Sequence, residues 1–307
     1  MSASLSFPPV IDSSMRSEFV SCPHSFFRRY IQGLQLPHRS VHLHFGSCFA
    51  DGIATFRKEF YGGSRPHIDD ALQAATATII RSWGDFPEEV EGSAKSLYRC
   101  VGALEAYIAQ YPPATDHVKP LIENGTIHTE FNFALPLPIL HPETDEPLLY
   151  AGRFDMLGDM AGLKVIEDDK TTSQLGATWG QQWRLRGQFT GYAWGASEFG
   201  HRIDGIVVRG ISILRTQYGH AEIIEQRPQW MIDAWKNQLH RDIYRMIDCW
   251  KVYSLTGKPT SFDQNLDSTC SAYGGCQFLD LCTSADPDRW LPNYDTTSYD
   301  PLGVPQP

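Results

Sequence analysis

The chain of 307 residues, 42% hydrophobic and 20% charged, has the composition of a globular protein with room for one large domain or two small ones. It has no apolar run near the length of about 18 residues that indicates a membrane helix, and its first residues lack the basic and apolar parts of a secretory signal. The net charge of −10 disfavours a protein that coats nucleic acid, although a local basic cleft would still bind phosphate. We therefore expect a soluble, cytoplasmic protein without a membrane partner.

Helices dominate the prediction for the N-terminal part, residues 11–115, because apolar positions recur there with helical spacing. The predicted helices cover residues 16–34, 45–61, 71–86 and 94–111. Ser13 or Ser14 would cap the first helix, and Pro112 and Pro113 end the last one.

Strands follow, because β-branched and aromatic residues now alternate with polar ones between turn residues. The predicted strands cover residues 127–137, 148–160, 162–172, 204–216 and 220–227, and the predicted helices cover 180–200 and 228–254. A turn over 159–162 folds the second strand back on the third. Helices first, and then a mixed sheet flanked by helices, predict an α/β fold with a helical N-terminal part.

The second and third strands carry the most informative residues. Asp168 and Lys170 are two apart on a strand and so share a face, and the turn would place Asp155 on the neighbouring strand close to Asp168. Two carboxylates would hold a hard divalent ion such as Mg²⁺, with the backbone carbonyl of Asp169 completing its ligands. Such an ion stabilises charge on a phosphate and lowers the pKa of a water, while Lys170 orients that water or neutralises developing charge. This set suits phosphodiester hydrolysis.

Two alternatives stay open for this hairpin. Its charged residues could simply be solvated, since Asp-x-Lys occurs by chance in many proteins. The adjacent Asp169 leaves the register open by one residue, although the lysine spacing favours Asp168. Gln188 and Tyr192, four apart on a predicted helix, share a face and could contact DNA or support Lys170, or belong to a helix with one buried aromatic.

These segments resemble a known family. Residues 152–157, 165–172 and 188–192 resemble the Gly-Arg-x-Asp, Asp-x-Lys-Thr and Gln-x-x-x-Tyr motifs of RecB-like nucleases in the PD-(D/E)XK superfamily. The resemblance implies a restriction-endonuclease-like core with a central mixed sheet flanked by helices. The metal ligands that it implies are Asp155 and Asp168, with Glu130 as a further ligand ahead of the hairpin. The catalytic residues that it implies are Asp155, Asp168, Lys170, Gln188 and Tyr192.

One position departs from the family pattern. Relatives often have Gly-x-x-x-His on an early helix, with the histidine binding metal, but this chain has Ala50 at that position. His42 and His44 are out of register, and Asp51 is the adjacent acidic residue. Either another group takes the place of the histidine, or the metal site is weaker than in relatives.

Seven cysteines occur, and three of them are clustered near the C-terminus. Cys270, Cys276 and Cys282 lie within 13 residues, and Cys22 precedes a proline near the other end of the chain. In a cytosolic chain a clustered set indicates a metal site rather than disulfides. Iron–sulfur clusters take four cysteine thiolates, and Gly274 and Gly275 would let the backbone wrap closely around one.

The arrangement of the cysteines resembles the cluster-binding sites of AddB-type and CRISPR-adaptation nucleases, although both gaps here have five residues instead of the usual Cys-x-x-Cys. The resemblance implies a 4Fe–4S cluster, with a mainly structural role in closing a long loop. A zinc site and a set of buried free thiols are the alternatives. Cys48, Cys100 and Cys249 lie on predicted helices, and we interpret them as core residues.

Basic and aromatic residues supply candidates for DNA contacts, because arginine binds phosphate and aromatic rings stack on unpaired bases. The candidate arginines are Arg28, Arg29, Arg184, Arg186, Arg209 and Arg215. The candidate aromatics are Phe26, Phe27, Trp179, Trp183 and Trp194. The alternative is that these arginines are solvated and these rings belong to the core.

The sequence therefore predicts a metal-dependent deoxyribonuclease of bacterial or phage type. We expect an exonuclease that uses Mg²⁺ or Mn²⁺ on DNA ends or single strands in repair or recombination. The chain has no Gly-x-x-x-x-Gly-Lys-Ser/Thr loop, so unwinding would need a helicase or recombination partner. The alternative, which Ala50 motivates, is a non-catalytic iron–sulfur subunit that binds DNA or assembles a repair complex.

The predicted organisation is a single nuclease domain over residues 1–290. Its parts are the helical segment 11–115, the nuclease core 120–255, and the cysteine-rich region 262–285, closed by Cys22. A Pro-rich tail, 291–307, would lie on the surface or be partly disordered.

Overall fold

The computed structural model describes residues 5–37, 40–63, 67–266, 269–271 and 275–303. The helices are α1 Ser13–Ser21, α2 Pro23–Phe26, α3 Val41–Gly62, α4 Ile68–Trp83, α5 Leu97–Gln110, α6 Gly187–Glu198, α7 Gln229–Thr256 and α8 Leu279–Thr283. The strands are β1 Val10–Asp12, β2 Leu34–Gln35, β3 Lys119–Pro120, β4 Ile122–Glu123, β5 Thr126–Ile127, β6 Thr129–Leu140, β7 Pro147–Met160, β8 Leu163–Thr172, β9 Gly205–Ile213, β10 Tyr218–Glu225 and β11 Asp295–Thr296. None of the described helices combines the length and the apolar character that crossing a membrane requires.

The chain forms two compact units that are interleaved along the sequence. The first unit comprises Met1–His38, Phe133–Gly152 and Gln229–Pro307. The second comprises Arg39–Asn132 and Arg153–Pro228, so β6 and β7 each contribute residues to both units. The single domain expected over residues 1–290 stays a prediction.

A mixed sheet forms the centre of the second unit. The C-terminal part of β7 pairs antiparallel with both β3 and β8, β8 pairs parallel with β9, and β9 pairs antiparallel with β10. All nine residues of β9 are buried, as expected for a strand that is covered on both faces. This mixed α/β architecture agrees with the predicted fold class at that level of detail.

Helices cover both faces of this sheet. Helices α3, α4 and α5 share a core that includes Ile211 and Ile213 of β9. Helix α6 packs on the other face, where the ring centre of Phe189 lies 5.9 Å from the Lys170 ammonium of β8, while the adjacent Asp169 contacts Arg57 of α3. Because side chains alternate along a strand, adjacent residues of β8 face different sets of helices.

The first unit contains α1, α2, α7 and α8. Strand β1 pairs parallel with β7, with Val10 opposite Leu149, and an ion pair of 2.8 Å joins Arg16 of α1 to Asp242 of α7. The described part of the predicted tail is anchored within this unit, because β11 pairs with β2.

The N-terminal helix predicted over 16–34 is interrupted. Pro23 lacks a backbone N–H and disfavours helical geometry in the residue before it, and Cys22 is extended, with φ −157° and ψ 105°. The cap prediction was also wrong: Asp12, rather than Ser13 or Ser14, accepts the hydrogen bond from the Met15 N–H at 2.8 Å.

The helix predicted over 180–200 is also divided. Only Gly187–Glu198 is α-helical, and a short 3₁₀ turn, Gln181–Trp183, precedes it. Arg186 is extended between the two segments. The Trp183 ring consequently packs 5.7 Å from Phe189, six residues further along, a contact that one straight helix would not make.

Candidate active site

The β7–β8 hairpin positions the predicted acidic residues. Its turn contains Ala161 and Gly162, both with positive φ, and Asp159 accepts a hydrogen bond from the Gly162 N–H at 3.1 Å. Two consecutive residues with positive φ match the right-handed twist of a hairpin. Met156 pairs with Glu167, so Asp155 and Asp168 are the next residues along the two strands.

Asp155, Asp168 and Lys170 lie together in the structure. The Lys170 ammonium forms an ion pair with the Asp168 carboxylate, which is 2% exposed. Asp155 Oδ2 accepts a hydrogen bond of 2.7 Å from the Asp169 N–H. We call Asp155 and Asp168 the aspartate pair.

The aspartate pair has raised pKa values. Burial raises the pKa of Asp155 well above its ordinary value, and the nearby charges of Asp168 and Asp169 add to this effect. Burial also raises the pKa of Asp168, against the opposing influence of Lys170. One buried and one half-buried carboxylate beside a single ammonium disfavour full ionisation unless further positive charge is present. Oxygen ligands in this electrostatic state fit a hard divalent cation.

The alternate residues of β8 have different partners. Glu167 is fully buried and forms ion pairs with Arg57 of α3 and Arg209 of β9, and Asp169 lies 3.0 Å from Arg57. The Tyr107 hydroxyl donates to Asp169 at 2.6 Å. We call this set, with its further carboxylates, the arginine network; its members are Arg57, Tyr107, Asp116, Glu167, Asp169, Arg209 and Glu222.

Sequence reasoning missed the arginine network. Arg209, a candidate phosphate contact, is 1% exposed and pairs with Asp116 at 2.6 Å and Glu222 at 2.8 Å. A single charge within the apolar strand Gly205–Ile213 was a signal for a buried partner, because an unpaired buried charge is costly. The Asp169 side chain, which sequence reasoning left as a register alternative to Asp168, contacts Arg57 and Tyr107.

Helix α6 places Gln188 and Tyr192 together. Gln188 Nε2 donates a hydrogen bond of 2.8 Å to the Tyr192 hydroxyl. The Lys170 ammonium lies 5.9 Å from the ring centre of Phe189, the residue that follows Gln188. Lys170 therefore faces the helix that carries both motif residues.

Glu130, the predicted further ligand, and the early helix contact other residues. Glu130 has a positive φ of 53° and pairs with Arg153 at 3.3 Å; burial raises its pKa, and Asp51 adds to the rise. Helix α3 passes the end of β8 at Gly46, where a Cβ would lie 3.4 Å from Thr171 Oγ1, and Ala50 is one turn further along. Asp51 accepts a hydrogen bond from Ser82 at 2.8 Å.

Most of the predicted DNA contacts are inaccessible. The five candidate aromatics are buried, and Phe26 and Phe27 are fully so. Arg28 is also buried and donates to Gln32 at 2.8 Å. These interpretations were wrong because the rings belong to hydrophobic cores. The remaining candidates, Arg29, Arg184, Arg186 and Arg215, have exposed or partly exposed side chains.

The four cysteines predicted to bind a cluster all lie in the first unit. Cys22, Cys270, Cys276 and Cys282 line one cavity, together with side chains that include Phe278. Cys22 ends α1, Cys282 lies on α8, and the Cys276 N–H donates to the Cys270 carbonyl at 2.8 Å. Gly274, predicted to help the backbone wrap, lies outside the described residues.

The thiols of this cavity influence one another. Burial raises the pKa of Cys276 and of Cys282, and in both cases the neighbouring cysteines add to the effect. Four thiols in one cavity fit a centre that binds thiolates, because a bound cation would offset the repulsion between the thiolates. Cys48 and Cys100 are buried in the α3–α5 core, as predicted, and Cys249 is half-buried.

Comparisons with known proteins add little to this geometry. No protein-family model and no curated protein matches the sequence. A solved structure named "Putative exonuclease", from Eubacterium rectale, is 11% identical with a TM-score of 0.45, and the match covers 78% of this chain and 80% of that one. The structure of SSO0001 is also 11% identical, with a TM-score of 0.33, and the match covers 82% of this chain and 87% of that one. Scores below 0.5 define neither the fold nor the function of this chain.

Proposed function

We propose that this protein is a deoxyribonuclease that depends on Mg²⁺ or Mn²⁺. The observation that carries the proposal is the aspartate pair with Lys170: the buried Asp168 and the half-buried Asp155 lie on adjacent strands beside one ammonium. The order of its sequence motifs, which resembles that of RecB-like PD-(D/E)XK nucleases, supports the same reaction. Asp155 and Asp168 would hold the cation, which would stabilise negative charge on a phosphate and make a water more acidic.

Lys170, Gln188 and Tyr192 would contact the substrate. Lys170 stays protonated because the surrounding carboxylates raise its pKa, so it can hold a phosphate oxygen or offset charge that develops there. Gln188 and Tyr192 hold each other on α6 and would position the DNA backbone beside Lys170. The substrate class that we propose is DNA ends or single strands.

The decisive experiment compares wild type with Asp168→Asn on end-labelled single- and double-stranded DNA, with Mn²⁺ or with EDTA. We expect cleavage by wild type that requires the metal. The asparagine variant should lose about a thousand-fold or more in rate, since a metal ion contributes several kcal/mol to such a reaction. The labelled products would give the polarity of cleavage.

Asp159→Asn is the matched control. Asp159 lies on the same strand as Asp155, but among the described residues its carboxylate accepts only the turn hydrogen bond from Gly162. This variant should cleave DNA at nearly the wild-type rate. Equal rates for wild type and Asp168→Asn, or cleavage that persists in EDTA, would refute the proposed site.

We further propose that the four cysteines of the first unit bind an iron–sulfur cluster of the 4Fe–4S type. The cavity that they share supports a four-thiolate centre, and the absence of a Cys-x-x-Cys pair disfavours zinc. The cluster would tie Cys22 to residues 270–282 and stabilise the first unit.

Anaerobic purification with analysis of iron, acid-labile sulfide and zinc tests this centre. We expect a brown protein with equal amounts of iron and sulfide, and loss of both in Cys282→Ser. Cys249→Ser, a half-buried cysteine on α7, is the control and should keep the full amount. Zinc without sulfide would show that the four cysteines form a zinc site instead of a cluster. A protein that contains neither iron nor zinc would show that they are free thiols.

A non-catalytic DNA-binding or assembly subunit is the second candidate function. The observation in its favour is Ala50, which lies on α3 where relatives often carry a metal-binding histidine. Wild-type protein that is folded and binds DNA, but cleaves none with Mg²⁺ or Mn²⁺, would establish this second function. Restoration of cleavage in Ala50→His would then identify the missing ligand.

A further inference from the structure

A second group of potential ligands lies away from the aspartate pair. Glu123 ends β4, His128 lies between β5 and β6, and His201 follows α6. Among the described residues, they form the only group of at least three His, Cys, Asp or Glu side chains whose ligand atoms all lie within 4.8 Å of one another. All three belong to the second unit.

The separations within this group are close to those of metal ligands. Glu123 Oε2 lies 3.5 Å from His128 Nε2 and 3.9 Å from His201 Nε2. Neighbouring ligands on a tetrahedral zinc ion, each 2.0–2.1 Å from the metal, are about 3.4 Å apart. Small side-chain movements would therefore bring the three atoms to a common ion.

His128 supplies an independent indication. Its Nε2 atom is buried and makes no hydrogen bond with any of the described residues. A buried nitrogen without a hydrogen bond is costly, and such atoms are few in folded proteins. The atom faces the Glu123 carboxylate at 3.5 Å, so a cation between them would satisfy both groups.

The backbone holds the two imidazoles in place. The His128 N–H donates to the Leu121 carbonyl at 3.1 Å, and the His201 N–H donates to the Ala196 carbonyl at 3.0 Å. Phe131 packs 6.1 Å from the His128 ring and 6.0 Å from the His201 ring, which gives the group an apolar wall. Burial lowers the pKa of His201, which favours the neutral imidazole that metals require.

We propose that Glu123, His128 and His201 form a binding site for a transition-metal ion of the zinc type. Two imidazoles and one carboxylate favour such ions over Mg²⁺, which prefers oxygen ligands. The ion would join the β4–β5 hairpin to the end of α6. Lys164 contacts the group and precedes Asp168 by four residues, about 13 Å along the strand. The two ions of a catalytic metal pair are only about 4 Å apart, so this ion would be separate from the one that the aspartate pair would hold.

Lys164 distinguishes this site from an ordinary ion pair. Its ammonium lies 3.2 Å from Glu123 Oε1 and 3.4 Å from His201 Nδ1. A positive charge at this distance opposes a metal ion bound by the same residues. Removal of the Lys164 ammonium should therefore strengthen metal binding by these residues. If the ion pair with Lys164 were the only reason that the three residues lie together, its removal would instead separate them and weaken metal binding.

The test follows the histidine ring resonances by NMR during a titration of the full chain with Zn²⁺. We expect the His128 and His201 rings to shift together at a stoichiometric amount of Zn²⁺, and the His117 ring to stay unchanged. His117 is a matched control, since its ring also pairs with a carboxylate, Glu222, at 2.9 Å. Zinc bound by the aspartate pair or by cysteines would leave the His128 and His201 rings unshifted and would overturn the proposal.

Variants give a second, quantitative test. Glu123→Gln should weaken Zn²⁺ binding at the histidines by at least about 10–100-fold, because loss of a group that only hydrogen-bonds to a metal ligand already costs that much. Lys164→Gln should strengthen it several-fold, and His117→Gln should leave it unchanged. The proposal fails if Glu123→Gln binds as wild type does, or if Lys164→Gln weakens binding.

Discussion

Adjacent residues of β8 occupy two different electrostatic environments. On the side of the arginine network, each of the four carboxylates contacts a guanidinium, and Asp169 also accepts from the Tyr107 hydroxyl. In the aspartate pair, Asp168 contacts Lys170, but no Lys or Arg among the described residues lies within 4.0 Å of Asp155. The same type of side chain is therefore structural at one position and available for a ligand at the next.

The comparison shows that partners, rather than residue type, decide the role of a buried acid. A carboxylate held by arginines gains hydrogen bonds and charge neutralisation, and the protein is destabilised when one partner is removed. A carboxylate beside another carboxylate is destabilising until a cation arrives. Removal of a charged side chain should consequently destabilise the protein in the arginine network and stabilise it in the metal-free aspartate pair.

The largest expected effect is on the arginine network. Arg209→Met would leave Asp116, Glu167 and Glu222 without this guanidinium, and we expect the free energy of unfolding to fall by about 3–5 kcal/mol. Urea unfolding followed by circular dichroism measures this change. Arg184→Met is the control, because that side chain is 71% exposed and its pairing with Glu225 is worth at most about 1 kcal/mol. Equal effects of the two variants would mean that the buried arginine network contributes no more to stability than an exposed ion pair.

The second prediction concerns the pH dependence of metal binding by the aspartate pair. Burial, reinforced by Asp168, raises the pKa of Asp155, so metal binding must displace a proton below that pKa. The affinity for Mn²⁺ should fall about tenfold for each pH unit below the raised pKa and level off above it. Calorimetric titration at several pH values measures this trend. An affinity that is flat from acid to neutral pH would mean that Asp155 ionises normally.

The third prediction is a stabilisation. Because the pKa of Asp155 is higher in the folded than in the unfolded chain, stability falls as pH rises through the raised pKa. In EDTA at neutral pH, Asp155→Asn should therefore raise the midpoint of thermal unfolding, by about 2–4 °C for each kcal/mol gained. With Mn²⁺ the order should reverse, since only wild type gains from the ion. A lower midpoint for the variant in EDTA would place Asp155 with the structural carboxylates.

The smallest expected effect is at α6. Tyr192→Phe removes the hydroxyl that accepts from Gln188, a hydrogen bond worth about 0.5–1.5 kcal/mol. We expect a several-fold lower rate of DNA cleavage with little change in unfolding temperature, measured beside Tyr98→Phe on the exposed face of α5. An unchanged rate would remove Gln188 and Tyr192 from the proposed substrate contacts.

Much of the hairpin was predictable, because its information is local. Alternating residues, the turn before Leu163 and the spacing of Asp168 and Lys170 all lie within one stretch of about 20 residues. The cap at Asp12 and the break at Cys22 were equally local, but sequence reasoning weighed the helical periodicity above the proline at position 23.

The arginine network could not be predicted from spacing alone. Arg57, Tyr107, Glu167 and Arg209 are separated by 40 or more residues along the chain, and their ion pairs exist only because α3, α5, β8 and β9 pack together. The same holds for Glu123 and His201, which only the turn of β4–β5 and the end of α6 bring within 3.9 Å.

The sequence by itself determined the order of helices and strands, the hairpin with its aspartate pair, and the candidate cysteines, because periodicity, turn residues and short spacings act over a few residues. The tertiary structure alone decided which charges are neutralised. In the folded chain Arg209 and the candidate aromatics are buried, and Asp169 and Asp168 have different partners. Glu123, His128 and His201 lie close together. The physical reason is that ionisation and burial depend on neighbours within a few ångströms in space, whatever their distance along the chain.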